Sequence, residues 1–205
     1  MKVIGLCGGS GSGKGSVSLI FNSFGIPSVD TDRVYRELTS SHSECLFALV
    51  KEFGESIIKP DGSLDRASLR NIVFEGEESE RKRERLNEIS HKYILDKTDE
   101  LLSGYKKLGV PMAIVDAPLL FESGYDKKCD VILAVLAEES VRINRIMKRD
   151  GLSYSDAKKR VASQIPDEKL KELCDFFIVN NGDFSELEAQ TRRIADQILN
   201  YERGK

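Results

Sequence analysis

Val3-Ile4-Gly5-Leu6-Cys7-Gly8-Gly9-Ser10-Gly11-Ser12-Gly13-Lys14 decides how the rest of this chain is read. Residues 3–7 are a short apolar run, which predicts a buried strand, and the Gly-Ser stretch behind it predicts a loop. From Lys14 to Phe24 the side chains Val17, Ile20, Phe21 and Phe24 recur at helical spacing; Gly25 closes that helix and Pro27 stops any continuation. Gly8 to Lys14 therefore has the form G-x-x-x-x-G-K between a strand and a helix, the context in which it cradles phosphate. Glycines tolerate positive φ, so successive N–H groups can turn inward around an anion. The following helix adds the partial positive charge of its N-terminus, and Lys14 reaches the β- and γ-phosphates. The expected nucleotide contacts are Gly9, Ser10, Gly11, Ser12, Gly13, Lys14, Gly15 and Ser16.

Working outward, short strands are predicted at 27–30, 112–115 and 131–135 and at Phe176–Val179, separated by helical stretches. Fully apolar strands alternating with helices predict an α/β fold: a parallel sheet of the P-loop NTPase type flanked by helices. Residues of about 42–107 are charged and helical, with a turn at Pro60-Asp61-Gly62, and read as a helical insertion. A helix start is expected at Arg33–Leu38 and a final amphipathic helix over 183–202, with Leu187, Ile194, Ile198 and Leu199 on one side. Ligands of such sheets bind beyond the carboxyl ends of the strands.

Carboxylates stand at those ends. Asp30-x-Asp32 follows the second strand; each either faces the γ-phosphate, ready to accept a proton from an acceptor hydroxyl, or caps the next helix. Asp116 ends the run 112–115, where it either holds Mg²⁺ or its waters, or caps a turn. The usual G-K-[ST] hydroxyl that binds Mg²⁺ is missing: Gly15 stands there and Ser16 follows. A water replaces that hydroxyl, or Ser16 supplies it, so nucleotide binding with impaired Mg²⁺ positioning is expected. Residues 138–165 hold seven Lys+Arg against four Asp+Glu. Arg142, Arg145 and Arg149 share one helical face, which suits a triphosphate unless it is a solvated face paired with Glu138 and Glu139.

Among 205 residues, 31 Lys+Arg against 34 Asp+Glu give a net charge of −3, which argues against broad nucleic-acid binding. No apolar run approaches the ~20 residues of a membrane span, and the N-terminus lacks a secretory pattern. Cys7, Cys45, Cys129 and Cys174 are spaced singly, as reduced thiols of a cytoplasmic protein, two of them expected to pack in strands. His42 and His91 have no metal-ligand spacing.

The chain resembles the dephospho-CoA kinase family through a series of motifs covering nearly its whole length. They are Gly5–Lys14 with Val17; Phe24-Gly25-Ile26-Pro27 leading to Asp30-x-Asp32; Leu64-Asp65-Arg66 with Leu69-Arg70 and Val73-Phe74; and Leu86-Asn87 with His91. They continue with Asp116-x-Pro118-Leu119-Leu120-Phe121-Glu122-x-Gly124, Arg145, Arg149-Asp150-Gly151-Leu152-Ser153, Ala157, Arg160 and Gln164, then Asp175, Asn180 and Gly182. The resemblance implies ATP-dependent phosphorylation of the ribose 3′-hydroxyl of dephospho-CoA, with ATP and Mg²⁺ required. It implies a core (1–41, 108–137, 166–205), an acceptor-binding insertion (about 42–107) and a helical lid (about 138–165) within one kinase domain. Asp32 takes the place of the catalytic base, Lys14 of the loop lysine and Arg145 of a lid residue closing over ATP. Arg149 belongs to the same lid, and Asn180 and Gly182 lie where adenine is expected. Arg66, Arg70, His91, Pro118, Leu119, Leu120, Phe121 and Glu122 fall in the acceptor region; Asp116 and Ser16 are the expected metal ligands. Two positions depart from the family: Gly15, and Lys92, where Pro is usual. A monomer or weak homo-oligomer is expected, acting on a small molecule without nucleic acid or membrane. The alternatives are another small-molecule or nucleoside kinase, or a nucleotide-binding protein with impaired turnover.

Overall fold

The fold is described from a computed structural model covering residues 1–40 and 42–201. Its strands are β1 (Lys2–Cys7), β2 (Ser28–Asp30), β3 (Met112–Asp116), β4 (Val131–Leu136) and β5 (Phe176–Val179), in the order β2-β3-β1-β4-β5. Pairing of β1 with β3, β1 with β4 and β4 with β5 is parallel. All of β3 and β4 is buried, as expected for strands covered on both faces. The chain leaves the central β1 toward β2 on one side and later builds β4 and β5 on the other. The topological switch point, where α/β sheets bind ligands, thus lies at the carboxyl end of β1.

Helix α1 (Lys14–Ser23) buries Val17, Ile20 and Phe21 against the sheet, in one cluster with Leu187, Ile194 and Ile198 of α9 (Phe184–Asn200). Phe24 caps α1 rather than extending it, and Gly25 leaves the helix at φ +78°. The predicted apolar side of the last helix needs one correction: Leu199 is 49% exposed. At 100° per residue it sits about 120° from the Leu187–Ile194–Ile198 stripe. Glu202 of that predicted helix, residues 203–205 and Ser41 lie outside the described residues.

Two compact units divide the chain. One comprises Met1–Val29 with the segment from Leu102 onward, and contains the sheet core. It also holds α6 (Glu139–Asp150) and α7 (Tyr154–Ala162), joined by Gly151 at φ +67° and packed through Ile143, Ile146, Ala157 and Val161. The short α8 (Asp167–Leu173), which no apolar periodicity announces, precedes β5.

The other unit, Asp30–Leu101, carries α2 (Thr31–Leu38), α3 (Glu44–Phe53), α4 (Arg66–Phe74) and most of α5 (Ser79–Lys107). Its own core is Cys45, Leu46, Leu49, Ile57, Leu64, Leu69, Val73 and Ile89. The predicted helical character holds, with one isolated antiparallel bridge, Ile58–Leu64, closing the turn at residues 60–62. Helix α5 runs unbroken through Lys92, whose side chain lies over the Tyr93 ring, so without the proline the helix keeps its backbone N–H there.

Of the four cysteines only Cys7 lies in a strand, against the expectation of two. Cys129 and Cys174 stop short because Asp130 and Asp175 follow them and turn their carboxylates onto the N–H groups of Val3 and Ile132 before the ladders begin. All four are free thiols, and Cys7 Sγ lies 3.5 Å from Cys174 Sγ. That contact and burial push the Cys7 thiol above its ordinary range.

Candidate active site

The loop Gly8–Gly13 leaves β1 at its carboxyl end and enters α1 directly. Gly13 stands at the helix N-cap in the left-handed region, φ +94°, and a Cβ there would lie 2.0 Å from Asn180 Nδ2. Only glycine meets both demands. The Gly13 carbonyl accepts from the N–H groups of Ser16 and Val17, at 2.9 and 3.2 Å, starting the helix.

Protein donors tie off the loop carbonyls. Arg145 Nη1 donates to the oxygens of Gly11 (3.2 Å), Ser12 (3.4 Å) and Asn180 (3.0 Å), while its Nη2 reaches Asn180 Oδ1 at 3.3 Å. Asn180, buried just beyond β5, donates Nδ2 to the Ser12 oxygen at 2.7 Å. With carbonyls turned toward donors, the trans peptides turn the next N–H groups the other way. Asn180 is thus committed to the loop in this structure. Gly182 lies in a bend before α9, where a Cβ would clash with Glu186 Oε2.

Lys14 pairs with Asp116, the last residue of β3; their side chains are 17% and 12% exposed. At such burial each charge relies on the other, since an unpaired one pays desolvation. Asp116 thus stands at the loop, paired with its lysine. Gly15 sits in the first turn of α1, exposed, with no atom within 4 Å of where a Cβ would be. Ser16 is partly buried in the same turn.

Asp30 is an N-cap: its Oδ1 accepts from the N–H groups of Asp32 (2.9 Å) and Arg33 (3.1 Å). The strand ends there, so the period-2 alignment of Asp30 with Asp32 does not occur. Asp32 lies in the first turn of α2, exposed, in a helical position that favours a carboxylate.

The basic stretch divides in a way its helical phase does not show. Arg142 and Arg145 are one turn apart and both reach the phosphate loop; neither pairs with Glu138 or Glu139 as a solvated face would. Arg149 lies about 10 Å further along the axis than Arg142. It makes a two-pronged pair with Asp150, which Arg160 also contacts. Those partners hold the Asp150 carboxyl below its usual range, Arg149 most strongly.

Of the acceptor-region residues, Arg66 and Arg70 are exposed one turn apart on α4, with Arg66 Nη2 donating to Thr39 Oγ1 at 3.0 Å. Asp65 caps that helix, and the Ser68 N–H holds its carboxyl below the usual range. His91 is partly buried on α5. In the other unit, the segment after β3 exposes Pro118, Leu119 and Glu122 and half-buries Phe121. Leu120 departs from its expected role: it is 1% exposed and a core side chain, close enough that a Cβ on Gly5 would meet it at 2.9 Å. Residues 118–121 advance through a turn, so one of them must point inward.

Sequence reasoning missed what Arg142 and Gln164 do. Ser10 was expected at the nucleotide, yet its N–H donates to Gln164 Oε1 at 2.9 Å and its oxygen accepts from Arg142 Nε at 3.1 Å. The available signals were Arg142 in the arginine stripe and Gln164 at the end of the next helix; neither names its partner.

Residues 2–186 match the family described as Dephospho-CoA kinase. A protein of that name from Arabidopsis thaliana is 38% identical over 97% of this chain and 84% of its own. The one from Corynebacterium glutamicum is 36% identical over 97% and 98%. The solved structure of dephospho-CoA kinase from Campylobacter jejuni superposes with a TM-score of 0.71 at 26% identity, covering 98% of each chain. By the match over residues 2–186 and these relatives of nearly full length, this chain belongs to the dephospho-CoA kinase family.

Proposed function

We propose that this chain transfers the γ-phosphoryl group of ATP to the ribose 3′-hydroxyl of dephospho-CoA, giving coenzyme A and ADP. The observation that carries the reading is the phosphate loop, braced by Arg145 and Asn180 with Lys14 at its end, in a chain of this family. Phosphoryl transfer asks the protein chiefly for positioning and charge stabilisation. The loop N–H groups and Lys14 hold the phosphates. As ATP arrives, its phosphates draw Lys14 away from Asp116.

Asp116 and Ser16 fit Mg²⁺: hard oxygen donors at the loop, too few to enclose an ion, as suits a cation that keeps water and phosphate ligands. No group of three or more His, Cys, Asp or Glu able to hold a metal occurs among the described residues. When bound, Mg²⁺ supplies neutralisation of charge on the β- and γ-phosphate oxygens.

Asp32 orients the acceptor hydroxyl and takes its proton. Arg66 and Arg70, cationic and exposed, suit the anionic acceptor, and we assign His91, Pro118, Leu119, Phe121 and Glu122 to acceptor binding as well. We assign the acceptor-binding role to the insertion of about 42–107. Residues 138–165 act as the lid that excludes water, with Arg145 at the phosphate loop and Arg149 held on Asp150 until ATP draws it away. The enzyme is placed in the cytoplasm, which its free thiols support; no helix among the described residues is long and apolar enough to cross a membrane.

Asp32→Asn tests the assignment of the base. Turnover should fall by about 10²–10⁴-fold while ATP affinity stays within about twofold. Turnover near that of the unaltered enzyme removes Asp32 from that role.

A further inference from the structure

We infer that Arg142 is a positioning residue for ATP, acting with Gln164 to hold the outer turn of the phosphate loop in its anion-accepting form. The inference builds on the reading of Gly8–Lys14 as the ATP phosphate cradle.

The Arg142 guanidinium is buried, with the residue only 5% exposed, and each of its nitrogens has a partner. Nε donates to the Ser10 oxygen at 3.1 Å, Nη1 to Asp167 Oδ1 at 3.2 Å, and Nη2 to Gln164 Oε1 at 2.6 Å. Gln164 closes the circuit on the same loop residue. Its Oε1 accepts from the Ser10 N–H at 2.9 Å, and its Nε2 donates to Ser10 Oγ at 3.2 Å. All three polar groups of Ser10 are therefore gripped by two side chains. The seat is tight: a Cβ on Gly9 would lie 2.0 Å from Arg142 Nη2, and one on Gly11 would lie 2.6 Å from the Arg142 oxygen.

This grip has a consequence for ligand binding. A trans peptide points its C=O and N–H in opposite directions. Fixing the Ser10 oxygen on Arg142 therefore turns the Gly11 N–H away from α6. Gly11 is at φ +78°, and with no Cβ to restrict it this peptide can rotate once the anchor is removed. A buried cation is a poor way merely to fill space, since an apolar residue packs as well without desolvation. What the guanidinium adds is a planar fork that fixes a carbonyl, a carboxylate and an amide at once.

The test uses the full chain with Arg142→Lys, which keeps the charge and loses the fork, and Gln164→Leu at a partly exposed position that tolerates change. Affinities for ATP and for inorganic tripolyphosphate are measured by calorimetry, alongside KM for dephospho-CoA and the thermal midpoint. Each variant should weaken ATP and tripolyphosphate alike by about tenfold (about 1.4 kcal/mol). KM for dephospho-CoA should stay within about twofold, and the double variant should lose less than the product of the single losses. Unchanged phosphate affinity in folded variants overturns the inference. So does a parallel decline of phosphate affinity and acceptor KM that tracks the thermal midpoint, which marks a purely structural role. If the unaltered chain binds tripolyphosphate but makes no coenzyme A, the proposed function fails while the inference is judged on the variants. If it binds neither phosphate ligand, both fall.

Discussion

Gly15→Ser restores the hydroxyl that the usual phosphate loop carries, and the structure separates its two effects. The position is exposed in the first turn of α1 and nothing lies within 4 Å of a Cβ there, so the substitution carries no steric cost. Glycine in a helix is about 1 kcal/mol less favourable than alanine and serine about half that, so the gain is at most ~0.5 kcal/mol. For a chain of this size that raises Tm by about 1–2 °C. The catalytic effect is distinct. A hydroxyl at residue 15 adds a hard oxygen where Mg²⁺ is proposed to sit. At limiting Mg²⁺ the turnover should rise about tenfold, equivalent to ~1.4 kcal/mol, with a smaller rise at saturation. Gly15→Ala is the control: it should raise Tm by up to twice as much, since it gains the full ~1 kcal/mol, and leave turnover unchanged. The assay is ADP release with dephospho-CoA across a Mg²⁺ titration, beside a thermal melt. Equal turnover of the Ser and Ala variants at every Mg²⁺ concentration refutes the hydroxyl argument. A lowered Tm in either variant refutes the open space from which the magnitude was worked.

Two further outcomes follow from ion pairs. Lys14→Met should abolish ATP binding and lower Tm, because Asp116 at 12% side-chain exposure loses its cation. Adding Asp116→Asn should recover Tm but not ATP binding, as calorimetry with and without ATP will show. The Asp150 carboxyl is depressed in the folded protein by Arg149 first and by Arg160. Its contribution is therefore complete above the ordinary carboxylate pKa of about 4 and is lost as pH falls through the lower folded value. Arg149→Gln should accordingly lower the urea midpoint slightly at neutral pH, flatten its fall in that acid range, and leave the midpoint below the folded value unchanged.

The strands, the phosphate loop and α1 were legible because their signals are local: apolar runs of strand length, a fixed glycine spacing, a 3.6-residue stripe ended by Gly25. Asp116 was legible as a strand-end carboxylate because it directly follows such a run. The rest depended on contacts distant in sequence. Arg142, Arg145 and Arg149 share a phase on one helix, but phase does not say that the first two meet the loop while the third passes it. Gln164 and Ser10 are 154 residues apart, and no periodicity links them. Leu120 sits in a motif that resembles an acceptor segment, yet the turn geometry buries it in the core. Leu199 was misplaced for the opposite reason: its neighbour Ile198 is on the stripe, and adjacent helical residues diverge by 100°.

The most direct measurement is mass spectrometry of the product formed from dephospho-CoA, ATP and Mg²⁺, with fragmentation to locate the new phosphate. The account predicts coenzyme A, with one phosphate added at the ribose 3′-hydroxyl and ADP released in equal amount, and no product from Asp32→Asn on the same timescale. ADP released without coenzyme A, or a phosphate placed elsewhere on the acceptor, contradicts it.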